Sequence, residues 1–159
     1  MDHGADLEEL IVAAHALTRV AALETRNEAP SAQWRTLAIL RERGPLRIGE
    51  LAHLSRVTQP GMTRLVGTMA DAGLVSRTAD EQDSRAVRAA ITPRGDEAYA
   101  AWRLQLVDAL LPRFAGLDDD EWGAVRTVAR LLGERTDPGS GGPVAGRAEA
   151  DPAEGTTAR

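Results

Sequence analysis

The sequence predicts a mainly α-helical protein carrying one small β-hairpin, and three observations predict it. Apolar residues recur at three- and four-residue spacing in six separate segments, the period of a helix with one buried face. Two short runs, Val75 to Thr78 and Val87 to Thr92, flank the charged stretch Asp-Glu-Gln-Asp-Ser-Arg at 80–85, as strands flank a loop. Aromatic content is low, with three Trp, one Tyr and one Phe, so the core must rest on Leu, Val, Ile and Ala. A chain of 159 residues suits one domain with a real core, or one domain plus a subunit interface.

Each element has a local cause. The first helix is expected from Asp6, where an Asp-x-x-Glu box satisfies free N–H groups, to about Thr25. Leu7, Leu10, Ile11, Ala14, Leu17, Thr18 and Ala21 form its apolar side. After a polar break at 26–30, Ser31 caps a second helix with Trp34, Leu37, Ala38 and Arg41, stopped by Gly44-Pro45. Ile48, Leu51, Ala52 and Leu54 make a short third helix ending near Ser55. Thr58 caps the fourth, Pro60 sits in its first turn where a missing N–H does no harm, and Gly73 stops it. Its inward stripe is Met62, Leu65, Val66 and Met69.

Thr92-Pro93 opens a fifth helix containing Ala98, Trp102, Leu104, Leu106, Val107, Leu110 and Leu111, ended or kinked by Pro112. Leu117 and Trp122 staple a second box, Asp118 to Glu121, at the start of a sixth helix. That helix runs to about Arg135 through Val125, Val128, Leu131 and Leu132. Residues 136–159 are Gly, Pro, Ala and acid without apolar period, and a disordered tail is expected there. The first helix and the last two carry wide apolar faces with little else to cover them. Residues 1–30 and 93–135 are therefore expected to form a dimerisation region around a compact lobe at 31–92.

Net charge is −5, but its distribution is uneven. Ser31 to Arg94 holds ten Arg against six acids, while the remainder holds nine Arg against eighteen acids. A basic centre in an acidic frame gives an oriented field, although charge alone fits an ordinary solvated surface equally well. All nineteen basic residues are Arg, which fits GC-rich codon usage better than a demand for bidentate contacts.

Several function classes are excluded or disfavoured. Without cysteine there are no disulfides and no thiol redox chemistry. His3, His15 and His53 lie in separate segments without ligand spacing, so no metal site is expected. The chain shows no nucleophile–base set and no phosphate loop, so no catalytic residue and no cofactor are assigned. The apolar run Leu10 to Thr18 is shorter than the roughly 20 residues a membrane span takes. Asp2, Asp6, Glu8 and Glu9 give the wrong flank for a signal peptide, and a soluble cytoplasmic protein is expected.

Between Leu46 and Gly95 the order is helix, turn, polar-fronted helix, then an arginine-tipped hairpin. That is the layout of a winged helix-turn-helix that grips duplex DNA. The helix would carry hydrogen-bonding side chains into the major groove and the wing a cation into the minor groove. Gln59 can pair with an adenine edge, and Thr58, with Pro60 beside it, lies where helix N–H groups favour phosphate. Thr63 and Arg64 follow one turn later, within reach of base edges or the flanking backbone. Ser55, at the end of the preceding helix, joins the candidate set. The blander alternatives are a cap alone for Thr58, an ion pair for Arg64 and core packing for Met62.

The segment resembles the MarR family of transcription regulators, and the likeness extends over the helical order from about Asp6 to Arg135. It is carried by Gly-Pro-Leu-Arg-Ile-Gly-Glu-Leu-Ala, Thr-Gln-Pro-Gly-Met-Thr-Arg-Leu-Val and Ala-Gly-Leu-Val-Ser-Arg, in that order. The most specific piece is Asp-Ser-Arg-Ala-Val-Arg-Ala-Ala-Ile-Thr-Pro-Arg-Gly, which looks like the family's Asp-x-Arg wing and its Leu-Thr-Pro-x-Gly exit. The resemblance implies that Arg85 enters the minor groove and that Asp83 holds its guanidinium. Arg77 and Arg88, on the strands, are expected to face phosphate or solvent. Two positions depart from the pattern. Arg47 stands where many members place a Ser or Thr cap, which would leave it free to approach phosphate. Gly61 lies inside the fourth helix, at a cost of about 1 kcal/mol relative to Ala.

The resemblance also implies a homodimer on a palindromic site in double-stranded DNA, more often a repressor than an activator. It further implies release by a small aromatic or phenolic effector bound between the dimer helices and the DNA lobe. The candidates for that pocket are His15, Arg19, Trp34 and Trp102, each of which packing alone would also explain. The alternative to a DNA-binding regulator is a protein-interaction module that kept the fold without ligand response or DNA binding.

Overall fold

The computed structural model describes residues 2–25, 29–80, 82–83 and 85–136. The polar break at 26–28 and the tail from 137 onward lie outside the described residues, as do Glu81 and Ser84. In chain order the elements are α1 (His3–Glu24), α2 (Ser31–Arg43), β1 (Leu46–Arg47), α3 (Ile48–Ser55), α4 (Gln59–Asp71), β2 (Val75–Ala79), β3 (Val87–Ile91), α5 (Pro93–Leu110) and α6 (Asp119–Thr136), with a 3-10 turn at Leu111–Phe114. Among the described residues no helix is long and apolar enough to cross a membrane. The chain divides into two units, Met1–Leu117 and Asp118–Arg159.

In the first unit the core lies between α2, α3, α4 and the sheet. Leu37, Leu40, Leu51, Met62, Val66, Met69 and Ala89 are essentially inaccessible, joined by Ile48, Ala52, Leu74 and Val75. Met62, Val66 and Met69 stand four and three residues apart, so one face of α4 is buried and the opposite face is left to solvent. By contrast α1 buries only Ala21, and α5 buries only Gly95. Leu7, Ile11, Val12 and Leu23 on α1, with Leu104 and Val107 on α5, remain at least half exposed.

The sheet has three strands, ordered β1-β3-β2 and antiparallel throughout. The sequence predicts only the β2–β3 hairpin. The extra strand β1 is two residues long and exists because Leu46 pairs with Ala89 and Arg47 with Arg88. A partner some forty residues away leaves no local signature.

Caps explain the helix starts. Thr58 Oγ1 accepts the Gly61 N–H at 3.3 Å and Thr92 Oγ1 accepts the Gly95 N–H at 3.0 Å, both at the predicted residues. α1 begins earlier than expected, since Asp2 rather than Asp6 caps it, accepting from Gly4 and Ala5. Pro30 precedes α2 as a cap residue without a side-chain bond, and Ser31 is its first residue. Pro112 ends α5 rather than kinking it, because the chain tightens there into the 3-10 turn.

In the second unit α6 opens on a reciprocal box. The Asp118 N–H donates to Glu121 Oε2 and the Glu121 N–H to Asp118 Oδ1, both at 2.9 Å. Thr136, placed with the tail by sequence, is the last helical residue, its Oγ1 donating to the Leu132 carbonyl at 2.8 Å. No described residue of α6 is buried, and Val125, Val128, Leu131 and Leu132 are all exposed.

Candidate nucleic-acid interface

The solvent face of α4 carries Gln59, Pro60, Thr63 and Arg64, all exposed, with Thr58 exposed at its cap. Gln59 and Thr63 are four residues apart, as are Pro60 and Arg64, so each pair shares a side of the helix. Thr63 Oγ1 donates back to the Gln59 carbonyl at 2.9 Å, which leaves its lone pairs outward as acceptors. Gly61 has a packing reason. A Cβ there would stand 3.0 Å from Thr58 Oγ1 and 3.1 Å from Val57 Cγ1, crowding the cap itself.

The hairpin returns the wing to the same side. A cleft of about 490 Å³ belongs elsewhere, between α1, α2 and α5; the one beside α4 measures about 390 Å³ and is lined by Arg47, Glu50, Gln59, Thr63, Arg77 and Arg85, among others. Three guanidiniums and two hydrogen-bonding side chains of α4 thus converge on one concave surface. Glu50 contributes the one opposing charge named there, and its carboxylate is occupied by the Arg47 N–H at 2.9 Å.

What fixes the wing is a buried carboxylate. Asp80, at the end of β2, has a side chain 1% exposed. It accepts Arg47 Nε at 2.9 Å and Nη2 at 2.7 Å, Arg88 Nη1 at 3.3 Å, and the Gln82 and Asp83 N–H groups at 3.0 and 3.1 Å. The Arg47 hydrogen bond holds the Asp80 carboxyl well below the usual carboxylate range, burial opposes this, and the Gln82 N–H and Arg88 assist. Arg88 Nη2 also donates to the Pro45 carbonyl at 2.6 Å. One acid therefore ties the loop of the wing to β1 and to the start of α3.

Several expectations change on this geometry. Arg47 is not a free phosphate ligand, because two of its nitrogens are held by Asp80. Arg88 likewise faces Asp80 and Pro45 rather than solvent. Asp83 does not grip the Arg85 guanidinium; its Oδ1 accepts the Arg85 N–H at 3.0 Å and so shapes the backbone of the tip. Arg85 itself is exposed, with no side-chain ion pair among the described residues. Ser55 leaves the contact set altogether, being fully buried with its Oγ unpartnered among the described residues and its carbonyl taking Arg35 Nη1 at 2.9 Å.

The larger cleft brings together Arg19, Trp34 and Trp102, with Arg35 and Tyr99 added. The Trp34 and Trp102 rings stack at 5.0 Å and 4°, and Tyr99 tilts against Trp102 at 5.7 Å. Trp34 Nε1 is buried without a hydrogen-bond partner among the described residues. His15 is exposed on α1 and does not line this cleft.

Comparison with known proteins follows the same lines. The family model described as "MarR family" matches residues 30–87, the stretch that forms α2 through the start of β3. An uncharacterised HTH-type transcriptional regulator of Mycobacterium leprae is 32% identical over 105 residues, covering 66% of this chain and 73% of that protein. The chain belongs to the MarR family. It is a DNA-binding transcriptional regulator and not an enzyme. Among solved structures, a MarR family protein from Bacillus stearothermophilus is similar at a TM-score of 0.62 and 26% identity, covering 85% of this chain and 97% of that one. BpsR of Bordetella bronchiseptica, whose DNA binding is regulated by 6-hydroxynicotinic acid, shares the fold at a TM-score of 0.53 and 18% identity over 80% of this chain and 91% of its own.

Three residues of this MarR-family regulator escape sequence reasoning. Tyr99 had a signal, since it precedes Trp102 by three residues on one helix face. Asp80 had none, because one acid of three in the run Asp-Glu-Gln-Asp reads as solvated. Arg35 had none either, as its acceptor is a backbone carbonyl twenty residues away.

Proposed function

We propose that this chain works as a homodimeric cytoplasmic repressor that reads a palindromic operator and is released by a small aromatic or phenolic acid. The observation that carries the reading is the concave surface where Gln59 and Thr63 of α4 meet Arg77 and Arg85 of the hairpin. Helix side chains would read base edges in the major groove, Arg85 would enter the adjoining minor groove, and Arg77 and Arg64 would hold phosphates. Residues 31–92 form the reading lobe. The uncovered apolar faces of α1, α5 and α6 support residues 1–30 and 93–135 as the dimerisation region, each protomer serving one half-site.

Two features support the effector. The cleft offers a flat aromatic wall and two guanidiniums, Arg19 and Arg35, which suits a planar anion. A ligand acceptor would also satisfy the Trp34 N–H, whose burial without a partner among the described residues costs about 1–3 kcal/mol. Arg35 is shared between the cleft and the Ser55 carbonyl just ahead of α4, so a bound anion competes with the turn for one guanidinium. Release then follows from differential affinity for two positions of α4.

The test is a binding titration on the promoter region beside the gene at several salt concentrations, followed by footprinting. A steep salt slope and a two-fold symmetric footprint are expected. Absence of binding below micromolar concentration overturns the reading. Small aromatic acids, 6-hydroxynicotinic acid among them, are expected to raise the melting temperature and lower DNA affinity together.

A further inference from the structure

The turn between α3 and α4 breaks a local rule at one residue. The Arg56 N–H bonds the His53 carbonyl at 3.1 Å and the Val57 N–H bonds the Ala52 carbonyl at 3.0 Å. These two bonds define a Schellman stop, whose central residue takes the left-handed conformation and is usually Gly. Arg56 takes it here, at φ 53 and ψ 43, and is the sole non-glycine residue with positive φ among the described residues.

The same chain shows the usual solution. α4 closes on the same pair of bonds, from Gly73 to Ala70 and from Leu74 to Met69, both 2.9 Å, with Gly73 at φ 74. The backbone demand is the same in the two turns, and only the second is met by the residue without a Cβ. Steric strain is therefore retained at Arg56, and packing does not account for it. Ser55 before it is fully buried and Val57 after it packs against the core, so Arg56 alone is turned outward. Its side chain has no hydrogen bond or ion pair among the described residues. The turn that carries it is held by the burial of Ser55, by Val57 against the core and by Arg35 on the Ser55 carbonyl.

We infer that Arg56 is a further DNA contact, a cation held beside the first turn of α4 to bind a backbone phosphate. It stands two residues ahead of the Thr58 cap, on a turn anchored at both neighbouring residues. A left-handed backbone in a non-glycine residue persists where surrounding structure over-determines it, commonly at functional sites. A phosphate contact of this kind adds affinity and fixes register without reading sequence. The inference rests on the DNA-binding surface described above.

The experiment compares Arg56→Gly, Arg56→Asn and Arg56→Lys with the wild-type chain, by melting temperature and by titration of operator and unrelated duplexes at several salt concentrations. Glycine and asparagine tolerate the left-handed backbone, so both are expected to melt at or above the wild-type temperature. Both are expected to lose affinity several-fold on either duplex, with the salt slope reduced by about 0.9 per protomer. Arg56→Lys keeps the charge and the strain and is expected to retain most of the slope. Unchanged affinity and slope in Arg56→Gly, with a steep slope in the wild type, overturns the inference while leaving the DNA-binding surface standing. A melting temperature lowered in both Gly and Asn variants overturns it by assigning Arg56 to the fold. A wild-type chain without salt-dependent binding overturns both readings.

Discussion

Asp80 and Arg47 meet side by side, with Nε and Nη2 of the guanidinium at 2.9 and 2.7 Å from the two carboxylate oxygens. The carboxylate is buried and the guanidinium half-buried, so the pair joins the wing to the start of α3 with little water between them. Removing the charge from one partner leaves the other imperfectly satisfied. Asp80→Asn is expected to melt below the wild type and to bind DNA more weakly, since the wing loses its anchor. The sign with pH is set by the lowered Asp80 pKa. Its contribution is complete above the ordinary value of 3.8 and is lost as pH falls further, through the folded value. The difference in melting temperature between wild type and Asp80→Asn should therefore be widest near neutral pH and shrink below about pH 4. A difference constant from acid to neutral pH would contradict this.

Arg85 is exposed at the tip, and among the described residues only its backbone N–H is engaged, by Asp83. Arg85→Ala is expected to weaken operator binding by roughly 1–3 kcal/mol without changing the melting temperature. Fluorescence anisotropy on a labelled operator reads this directly. An unaltered affinity removes the wing from the interface.

Gly95 is buried where α5 starts, and a Cβ there would lie 2.0 Å from the Leu74 carbonyl oxygen and 3.0 Å from Ile91 Cγ1. Backbone must move to admit it. Gly95→Ala is expected to cost on the order of 1–3 kcal/mol, read by denaturant titration. Wild-type stability would show that the joint gives way easily.

The apolar side chains left uncovered on α5 supply a test of assembly. Leu104 and Val107 are 64% and 50% exposed, and a charge at either costs the isolated chain little. Leu104→Glu with Val107→Glu is expected to shift the protein to monomer in sedimentation equilibrium while the lobe stays folded. A dimer of undiminished strength would move the interface to other helices.

Local causes were legible in the sequence, and distant ones were not. Thr58, Thr92 and the Asp118–Glu121 box cap helices through bonds spanning three residues, and each cap lies where its residue type places it. The stripe of Met62, Val66 and Met69 follows helical period alone. Asp80 finds Arg47 across 33 residues and Arg88 finds Pro45 across 43, so the chain order gives no sign that either charge is already paired. The same holds for Ser55, whose burial depends on α2 folding over the turn. The α4 face and the hairpin arginines were visible as a set because the hairpin follows directly on α4 in the chain. Which arginines within that set remain free depends on Asp80.

Thr92 links two elements as well as capping one. Its Oγ1 donates to the Gly73 carbonyl at 2.7 Å, its N–H donates to the Leu74 carbonyl at 3.1 Å, and Gly95 lets α5 press against that same carbonyl. The far end of the reading helix is thereby tied to the near end of α5 by two hydrogen bonds and one close backbone approach. A tilt of α5 would therefore be handed to the C-terminal end of α4, and the exposed face at the other end of that helix would move with it.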